Sequence, residues 1–177
     1  MIVRAAGLAD APAVGAIYGH HVLNGLGTFE EIPPSDADMA DRIAAVLARD
    51  LPYLVAEDDD GRVVGFAYAG PFRPRAAYRY TAEDSVYVHP DCTGKGVGKQ
   101  LLSAVIAACE AKGVRQLVAV IGDSGNDGSR GLHRALGFTE SGVGHGLGYK
   151  HGRWVDIVWM QRALGGGETS PPAGPGA

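Results

Sequence analysis

Apolar residues recur along this chain with two different periods, and the switches between them outline the elements. Ile2 to Ala5 form a short strand candidate. Val14, Ile17, Tyr18 and Val22 then recur at helical spacing up to about Leu23, with Asp10 placed to cap the helix and Pro12 just inside it. Residues 25–30 read as a loop. Ser35 with Asp38 three residues on has the form of a capping box with Asp in place of Glu. The helix it opens runs to about Arg49, with Met39, Ile43, Val46 and Leu47 on one face. Residues 53–56 and 63–68 read as strands, joined by an Asp-rich hairpin turn ending at Gly61, where Asp-Gly tolerates positive φ.

The second half has a different grammar. Pro71 and Pro74 stiffen a loop that carries Arg73 and Arg75. Residues 83–89 form a strand that breaks at Pro90, passes through the glycine-rich run 93–98, and enters an apolar-periodic helix over 99–112. Residues 116–121 are continuously apolar, as expected of a strand buried on both faces. Asn126 to Ser129 lead into a short helix over 130–136, stopped by Gly137. Residues 138–143 and 154–161 read as two final strands around a Gly-rich connection. Residues 165–177 lack periodicity, and a flexible tail is expected there after a single domain over 1–164. The order of elements implies a mixed α/β sheet that is parallel around the strand–glycine turn–helix unit.

Composition narrows the function. A chain of 177 residues with 46% hydrophobic residues and a net charge of −4 has no basic excess for nucleic acid. No apolar run approaches the roughly 20 residues that span a bilayer. The N-terminal residues Met1-Ile2-Val3-Arg4 lack the apolar core of a signal peptide. Two cysteines, Cys92 and Cys109, make no disulfide framework and fit a reducing cytoplasm. His20, His21, His145 and His151 lack metal-ligand spacing, so no metal site is expected.

The strand–glycine turn–helix unit is an anion site. The first N–H groups of a helix have no intrahelical partner and carry the positive end of its dipole. Glycines let that backbone approach a phosphate closely. A nucleoside-triphosphate P-loop would need Gly where His89 stands and a hydroxyl where Gly96 stands. A dinucleotide fingerprint would need Gly where Lys99 stands, and a unit that opens the fold. A third pattern fits better: Thr93-Gly94-Lys95-Gly96-Val97-Gly98 after a central strand, Asn126 downstream, and Gly131-Leu132-His133-Arg134-Ala135-Leu136-Gly137-Phe138 beyond it.

These motifs resemble the acyl-coenzyme A loop and its partners in the GNAT superfamily of N-acetyltransferases, with Thr93 where that superfamily usually has Gln or Arg. Residues 71–88, 119–121, 129–138 and 148–156 are more specifically similar to the phosphinothricin/methionine sulfoximine acetyltransferases, and the likeness covers about residues 2–164. The resemblance implies a GNAT fold, a mixed central sheet of about six or seven strands flanked by about four helices. It implies transfer of an acetyl group from acetyl-CoA to the α-amine of a small amino-acid-like substrate, directly in a ternary complex and with no acyl-enzyme on Cys92. It also implies a homodimer, with residues 142–159 as the contact. Rival readings are an acetyltransferase for a polyamine or a protein N-terminus, and a non-catalytic acyl-CoA sensor.

Amine acetylation needs a neutral amine, a polarised carbonyl, a thiolate that can leave and an acceptor held at near-attack distance. Glu83 is the expected base. Backbone N–H groups over Val86, Tyr87 and Val88 are expected to polarise the carbonyl, from a strand that leaves part of its ladder unpaired near a bulge. His133 stands where many superfamily members carry a tyrosine general acid, and a histidine suits proton transfer near neutral pH. Gly94, Lys95, Gly96, Val97, Gly98, Lys99 and Asn126 are expected to hold the cofactor. Arg73 and Arg75 suit bidentate capture of the acceptor's anionic end, and Phe29, Glu30 and Ser85 are expected to line its pocket.

Overall fold

The computed structural model describes residues 1–172. Among the described residues, seven strands form one sheet: β1 (Ile2–Ala5), β2 (Tyr53–Glu57), β3 (Val63–Pro71), β4 (Thr81–Val88), β5 (Gln116–Gly122), β6 (Thr139–Lys150) and β7 (Arg153–Ala163). Their spatial order is β1-β2-β3-β4-β5-β7-β6. Every neighbouring pair is antiparallel except β4 and β5, which are parallel. This is the mixed sheet that the order of elements implied.

Four helices cover the two faces and divide the core in two. Helices α1 (Ala11–Asn24) and α2 (Asp36–Leu47) bury Val14, Ile17, Val22, Met39 and Ile43 against Tyr53, Val55 and Phe66. Helix α3 (Val97–Ala111) buries Leu101, Leu102, Val105, Ile106 and Cys109 on the opposite face, against Ala67, Ala69, Leu117 and Ala119. Helix α4 (Asp127–Ala135) adds Leu132 to that face. The buried leucines and valines of α3 each contribute about 1.5–3 kcal/mol relative to exposure, which anchors the glycine loop ahead of them.

The helix ends show where local chemistry decided the structure. The Ser35 hydroxyl accepts from the Asp38 N–H at 3.2 Å, and Asp38 Oδ2 accepts from the Ser35 N–H at 3.1 Å, completing the expected box. Asp10 precedes α1 as expected, yet its carboxylate makes no cap bond. It accepts instead from the Gly7 N–H at 2.8 Å and from the Arg4 guanidinium at 2.7 and 2.8 Å.

The greatest difference from the sequence pattern lies in β6. The Gly-rich stretch expected as a connection is strand through Lys150, and the turn is only His151 and Gly152, with φ of 51° and 74°. Glycine recurs there because neighbours come close. A Cβ at Gly144 would lie 2.8 Å from the Trp159 ring, and one at Gly148 would collide with the Phe29 ring.

The start of the expected tail has partners: the Gly165 N–H donates to Glu110 at 3.1 Å, and Arg115 donates to the Ser170 carbonyl at 3.0 Å. Residues 173–177 lie outside the described residues.

Gly122, at the end of β5, faces the Leu26 carbonyl so closely that any Cβ would overlap it, whereas a Cβ at Gly142 would meet nothing within 4 Å. Gly122→Ala is therefore expected to lower stability by about 1–3 kcal/mol, the usual cost of overpacking. Gly142→Ala should change it by less than about 0.5 kcal/mol, as at unconstrained surface positions. Denaturant unfolding of both variants checks this, and the reverse order of effects would refute the packing argument.

Candidate active site

The site grows from one mismatch in the sheet. Strand β4 pairs with β3 from Pro71↔Ala82 to Gly65↔Val88 with no register shift. With β5 it pairs only from Thr81↔Gln116 to Asp84↔Ala119. Beyond Asp84 the two parallel strands diverge. The N–H of His89 donates to Val64 on β3 at 2.9 Å. Strand alternation therefore turns the N–H groups of Val86 and Val88 the other way, into the fork. The Tyr87 N–H faces β3. The expected bulge is absent, and the free ladder groups arise from the divergence instead. The Val88 carbonyl accepts from His21 Nε2 of α1 at 2.9 Å, so this ring fills part of the fork from above.

A cavity of about 610 Å³ runs from the glycine loop along Val86 to Val88 and on to Gly122, Asn126 and His133. Gly94 and Gly96 sit at φ of 73° and 82°, a conformation that side chains resist, and Gly96 is the N-cap of α3. Val97 is buried, so only its backbone faces outward, while Lys95 and Lys99 are exposed. Gly98 is present for a different reason. A Cβ there would stand 3.2 Å from Leu132 and 3.5 Å from Val88, closing the cavity floor. Asn126 caps α4, its Oδ1 accepting from the Ser129 N–H at 3.1 Å. Its Nδ2 faces the Gly122 carbonyl at 3.5 Å.

The other face of β4 is built differently. Tyr87 stacks on Phe66 at 5.1 Å and meets Tyr18 edge-on at 5.0 Å. Ser85 is hydrogen-bonded to Tyr68. Glu83 lies on this same face, half-buried. Burial raises its carboxyl pKa, the neighbouring Asp84 adds to the rise, and Arg73 offsets part of it. Arg73 itself stands over the Phe72 ring at 5.0 Å. Arg75 is exposed and opens the single 3-10 turn Ala76–Tyr78.

The loop between α1 and α2 closes this side. The Phe29 ring lies against Gly122 and Gly148. Glu30 is engaged on both oxygens: Arg42 donates at 2.7 and 3.1 Å, and the Tyr18 hydroxyl at 2.9 Å. Burial raises the Glu30 pKa, but these donors outweigh it and the net shift is downward. Its carboxylate thus holds Arg42 and Tyr18 in place.

His133 reaches the cavity wall, but not as a free titrating group. It is 2% exposed. Its Nδ1 donates to the Ser129 carbonyl at 2.8 Å, and its Nε2 lies 2.9 Å from Asp84 Oδ2. Burial lowers the imidazole pKa, while the bonds to Asp84 and Ser129 outweigh that and raise it overall. Both ring nitrogens are therefore engaged within the protein.

Three groups escaped the sequence argument. Asp84 is 5% exposed and its Oδ1 has no hydrogen-bond partner. The available signal was an acid in the inward-facing series Ala82, Asp84, Val86, Val88. His21 gave only helical spacing. Lys150 is 2% exposed and donates to the Thr28 carbonyl at 2.8 Å, a contact that no local pattern encodes.

Residues 20–138, more than half of the chain, match the model of the acetyltransferase (GNAT) family. The chain is 55% identical over 163 residues to the phosphinothricin N-acetyltransferase of Alcaligenes faecalis, covering 92% of this chain and 82% of that one. It is 44% identical over 172 residues to the L-methionine sulfoximine/L-methionine sulfone acetyltransferase of Pseudomonas aeruginosa, covering 96% and 98%. Among solved structures it superimposes with a TM-score of 0.94 on a phosphinothricin acetyltransferase of Sinorhizobium meliloti in complex with AcCoA, at 47% identity, covering 97% of this chain and 92% of that one. The forked sheet, the glycine loop at its mouth and these likenesses agree: the chain belongs to the GNAT family of acetyltransferases.

Proposed function

We propose that this protein acetylates the α-amine of small amino-acid-like substrates, of the phosphinothricin, methionine sulfoximine or methionine sulfone type, by direct transfer in a ternary complex. The observation that carries this reading is the arrangement of β4, with a cofactor-sized cavity along its open edge and a raised-pKa carboxylate on its other face. The names of the relatives support the acceptor class.

The residues at the cavity mouth fit coenzyme A. Two glycines at positive φ, exposed and without Cβ, leave the amides of residues 94–98 open to a diphosphate. Lys95 and Lys99 add positive charge beside them, and Asn126 offers its amide nitrogen farther along. Thr93, whose hydroxyl donates to the Pro90 carbonyl at 3.0 Å, spends its side chain on the loop itself. Acetyl-CoA supplies the acetyl group as a thioester.

The remaining chemistry belongs to the chain. The N–H groups of Val86 and Val88, directed into the fork, are suited to polarise a carbonyl oxygen. Glu83 takes the proton of the acceptor ammonium, directly or through a water, since its raised pKa brings it nearer to neutrality. The neutral amine would then form the new C–N bond as the thioester C–S bond breaks, and the proton the nitrogen sheds would leave with the coenzyme A sulfur as a thiol. Arg73, the closer of the two loop arginines to Glu83 in its electrostatic influence, receives the acceptor's anionic end, with Arg75 beside it on the loop. Phe29, Ser85 and Tyr87 wall the acceptor, and Glu30 contributes by fixing Arg42 and Tyr18. His133, engaged at both nitrogens, is assigned the positioning of α4 against Asp84 rather than proton delivery to sulfur.

A homodimer in the cytoplasm is the proposed assembly and setting. Leu147, Tyr149 and Trp154, at 56%, 59% and 69% exposure, leave an apolar surface on the edge hairpin β6–β7. No helix of the described residues is long and apolar enough to cross a membrane.

Glu83→Gln should lower turnover by roughly 10²- to 10⁴-fold in a thiol-release assay, the usual cost of losing a general base. The base works ionised and its pKa is raised, so wild-type kcat/KM should fall as pH drops through a value above the ordinary ~4.3 of glutamate. That limb should vanish in Glu83→Gln, and turnover within twofold of wild type would remove Glu83 from the mechanism.

Replacing Arg73 and Arg75 together by Lys keeps charge but loses the guanidinium fork. KM for phosphinothricin should rise with little change in kcat, and an unchanged KM would refute their role.

Trp154→Glu places a charge in the apolar hairpin surface. Sedimentation should shift from dimer to monomer, and a wild-type chain that sediments as a monomer would refute the assembly.

A further inference from the structure

Helix α4 supplies a wall of the cofactor-sized cavity yet puts little of itself into the core. Gly128, Ser129, Leu132 and His133, with the N-cap Asn126, line the cavity, and His133 is the one buried residue of the helix. That residue meets Asp84, the last rung at which β4 pairs with β5. We infer that Asp84 and His133 share a single proton and form a latch between the fork and α4, and that loss of this proton weakens the binding of acetyl-CoA. Asp84 is thus a positioning residue for the cofactor. The inference rests on the N-acetyltransferase reading, because it concerns how that cavity is held.

The proton count follows from the contacts. The Ser129 carbonyl can only accept, so Nδ1 of His133 carries a hydrogen. Nε2 lies 2.9 Å from Asp84 Oδ2, a hydrogen-bond distance that needs one more proton between the two atoms. Without that proton a nitrogen lone pair would face a carboxylate. The side chains of His133 and Asp84 are 3% and 1% exposed, so bulk water does not replace it. The Phe138 ring stands edge-on to the imidazole at 5.0 Å. Asp84 Oδ1 is buried without a hydrogen-bond partner, so Oδ2 is the oxygen that holds the pair together.

Burial decides how firmly the proton is held. With it the pair is neutral overall. Without it the pair becomes a buried anion, which is costly. Burial raises the Asp84 pKa, and His133 offsets part of the rise. For His133 burial acts downward, but the bonds to Asp84 and Ser129 prevail. Two other titratable groups feel the Asp84 charge. Glu83, next on β4, faces the other side of the sheet. The Cys109 thiol of α3 is pushed up to about 12, chiefly by burial, and stays neutral. Neither is a cation, so neither would stabilise the anion. The proton therefore leaves only at a pH above the ordinary ~6.5 of histidine.

The consequence for the cofactor runs through α4. Leu132, beside His133, reaches over Gly98 at the cavity floor. Asn126 and Ser129 stand at the start of the same helix, joined by the cap bond. The other polar ties of α4 lead elsewhere. Arg130 donates to the Ser124 carbonyl at 2.7 Å and to Glu140 at 2.9 Å. Arg162 of β7 donates to the Leu136 carbonyl. These ties hold the helix to the segments around it, and the latch holds it to β4. Releasing the latch leaves the helix folded but frees the cavity wall to shift against Val86 and Val88.

The test uses the full chain and two readouts. Calorimetry measures the Kd of acetyl-CoA from neutral to alkaline pH, and nitrogen NMR follows the His133 ring, assigned by its proximity to the Phe138 ring. Wild-type Kd should rise by roughly tenfold once the proton is lost, the scale of one hydrogen bond to a charged group. The His133 ring should titrate at that same pH, above the ordinary ~6.5 of histidine. In Asp84→Asn an amide donates to a neutral imidazole and no extra proton is needed. Both the step in Kd and the alkaline ring titration should disappear. Lys95 and Lys99 titrate in both proteins, so the difference between the two profiles is what counts. His133→Phe, which lacks the latch, should bind roughly tenfold more weakly already at neutral pH. Circular dichroism and thermal melts check that both variants fold. A wild-type Kd that does not change with pH, or that rises equally in folded Asp84→Asn, overturns the latch. A wild-type His133 ring that titrates at or below the ordinary value overturns it whether or not the variants fold. In each case thiol release with methionine sulfone leaves the proposed function intact. Absence of heat with acetyl-CoA at every pH counts against the proposed function itself, and the latch falls with it.

Discussion

The parallel ladder between β4 and β5 stops after Asp84↔Ala119, and the site exists because it stops there. A strand that ends its pairing inside a protein leaves amide and carbonyl groups that must find other partners, at a cost of about 1–3 kcal/mol for each one buried and unmet. Here the divergence is held from both sides. The buried Asp84–His133 bond ties the last paired rung to α4, and the His21 ring takes the Val88 carbonyl from the α1 side. What stays open is the donor side of Val86 and Val88, directed into the cavity. The groups that a complete sheet would spend on cohesion face the cavity instead.

Strand alternation then gives two adjacent carboxylates different surroundings. Glu83 and Asp84 are neighbours in sequence but face opposite sides of the sheet. Burial pushes both pKa values up. Asp84 meets an imidazole whose other nitrogen is also engaged, so its proton affinity is spent on holding α4 in place. Glu83 feels burial first, then the neighbouring Asp84, with Arg73 offsetting part of the rise. One carboxylate is tied to a partner side chain, and the other faces the opposite side of the sheet without one.

Much of this was legible in the sequence wherever the signal is local. Helical spacing located α1, α2 and α3, the Ser35–Asp38 box marked the start of α2, and the glycines of residues 94–98 marked the turn at the mouth of the cavity. Long-range contacts were hidden. Asp10 looks like a cap but is drawn to Arg4, because a guanidinium fork binds a carboxylate more strongly than two backbone amides do. Glycines in β6 look like loop punctuation, yet they make space for Phe29 and Trp159, which come from elsewhere in the chain. His133 has the right type for proton transfer, yet its Nε2 meets Asp84 on β4, a contact hidden from local sequence, while its Nδ1 meets the Ser129 carbonyl one turn back in α4.

The loop between α1 and α2 shows how such contacts build function from distance. Its position follows from three fittings, each from a different element: the bare Gly122 at the end of β5, the bare Gly148 in β6, and the Lys150 ammonium on the Thr28 carbonyl. Burial lowers the Lys150 pKa, and the nearby Glu31 and Glu30 offset part of that. Thr28 in turn meets the Tyr18 hydroxyl at 2.8 Å, and Tyr18 meets Glu30, which holds Arg42. A single chain of contacts therefore runs from the edge hairpin through Thr28, Tyr18 and Glu30 to Arg42 on α2. Lys150 lies in the same hairpin that exposes Tyr149 and Trp154, so one element carries both the lysine that holds this loop and the exposed apolar surface.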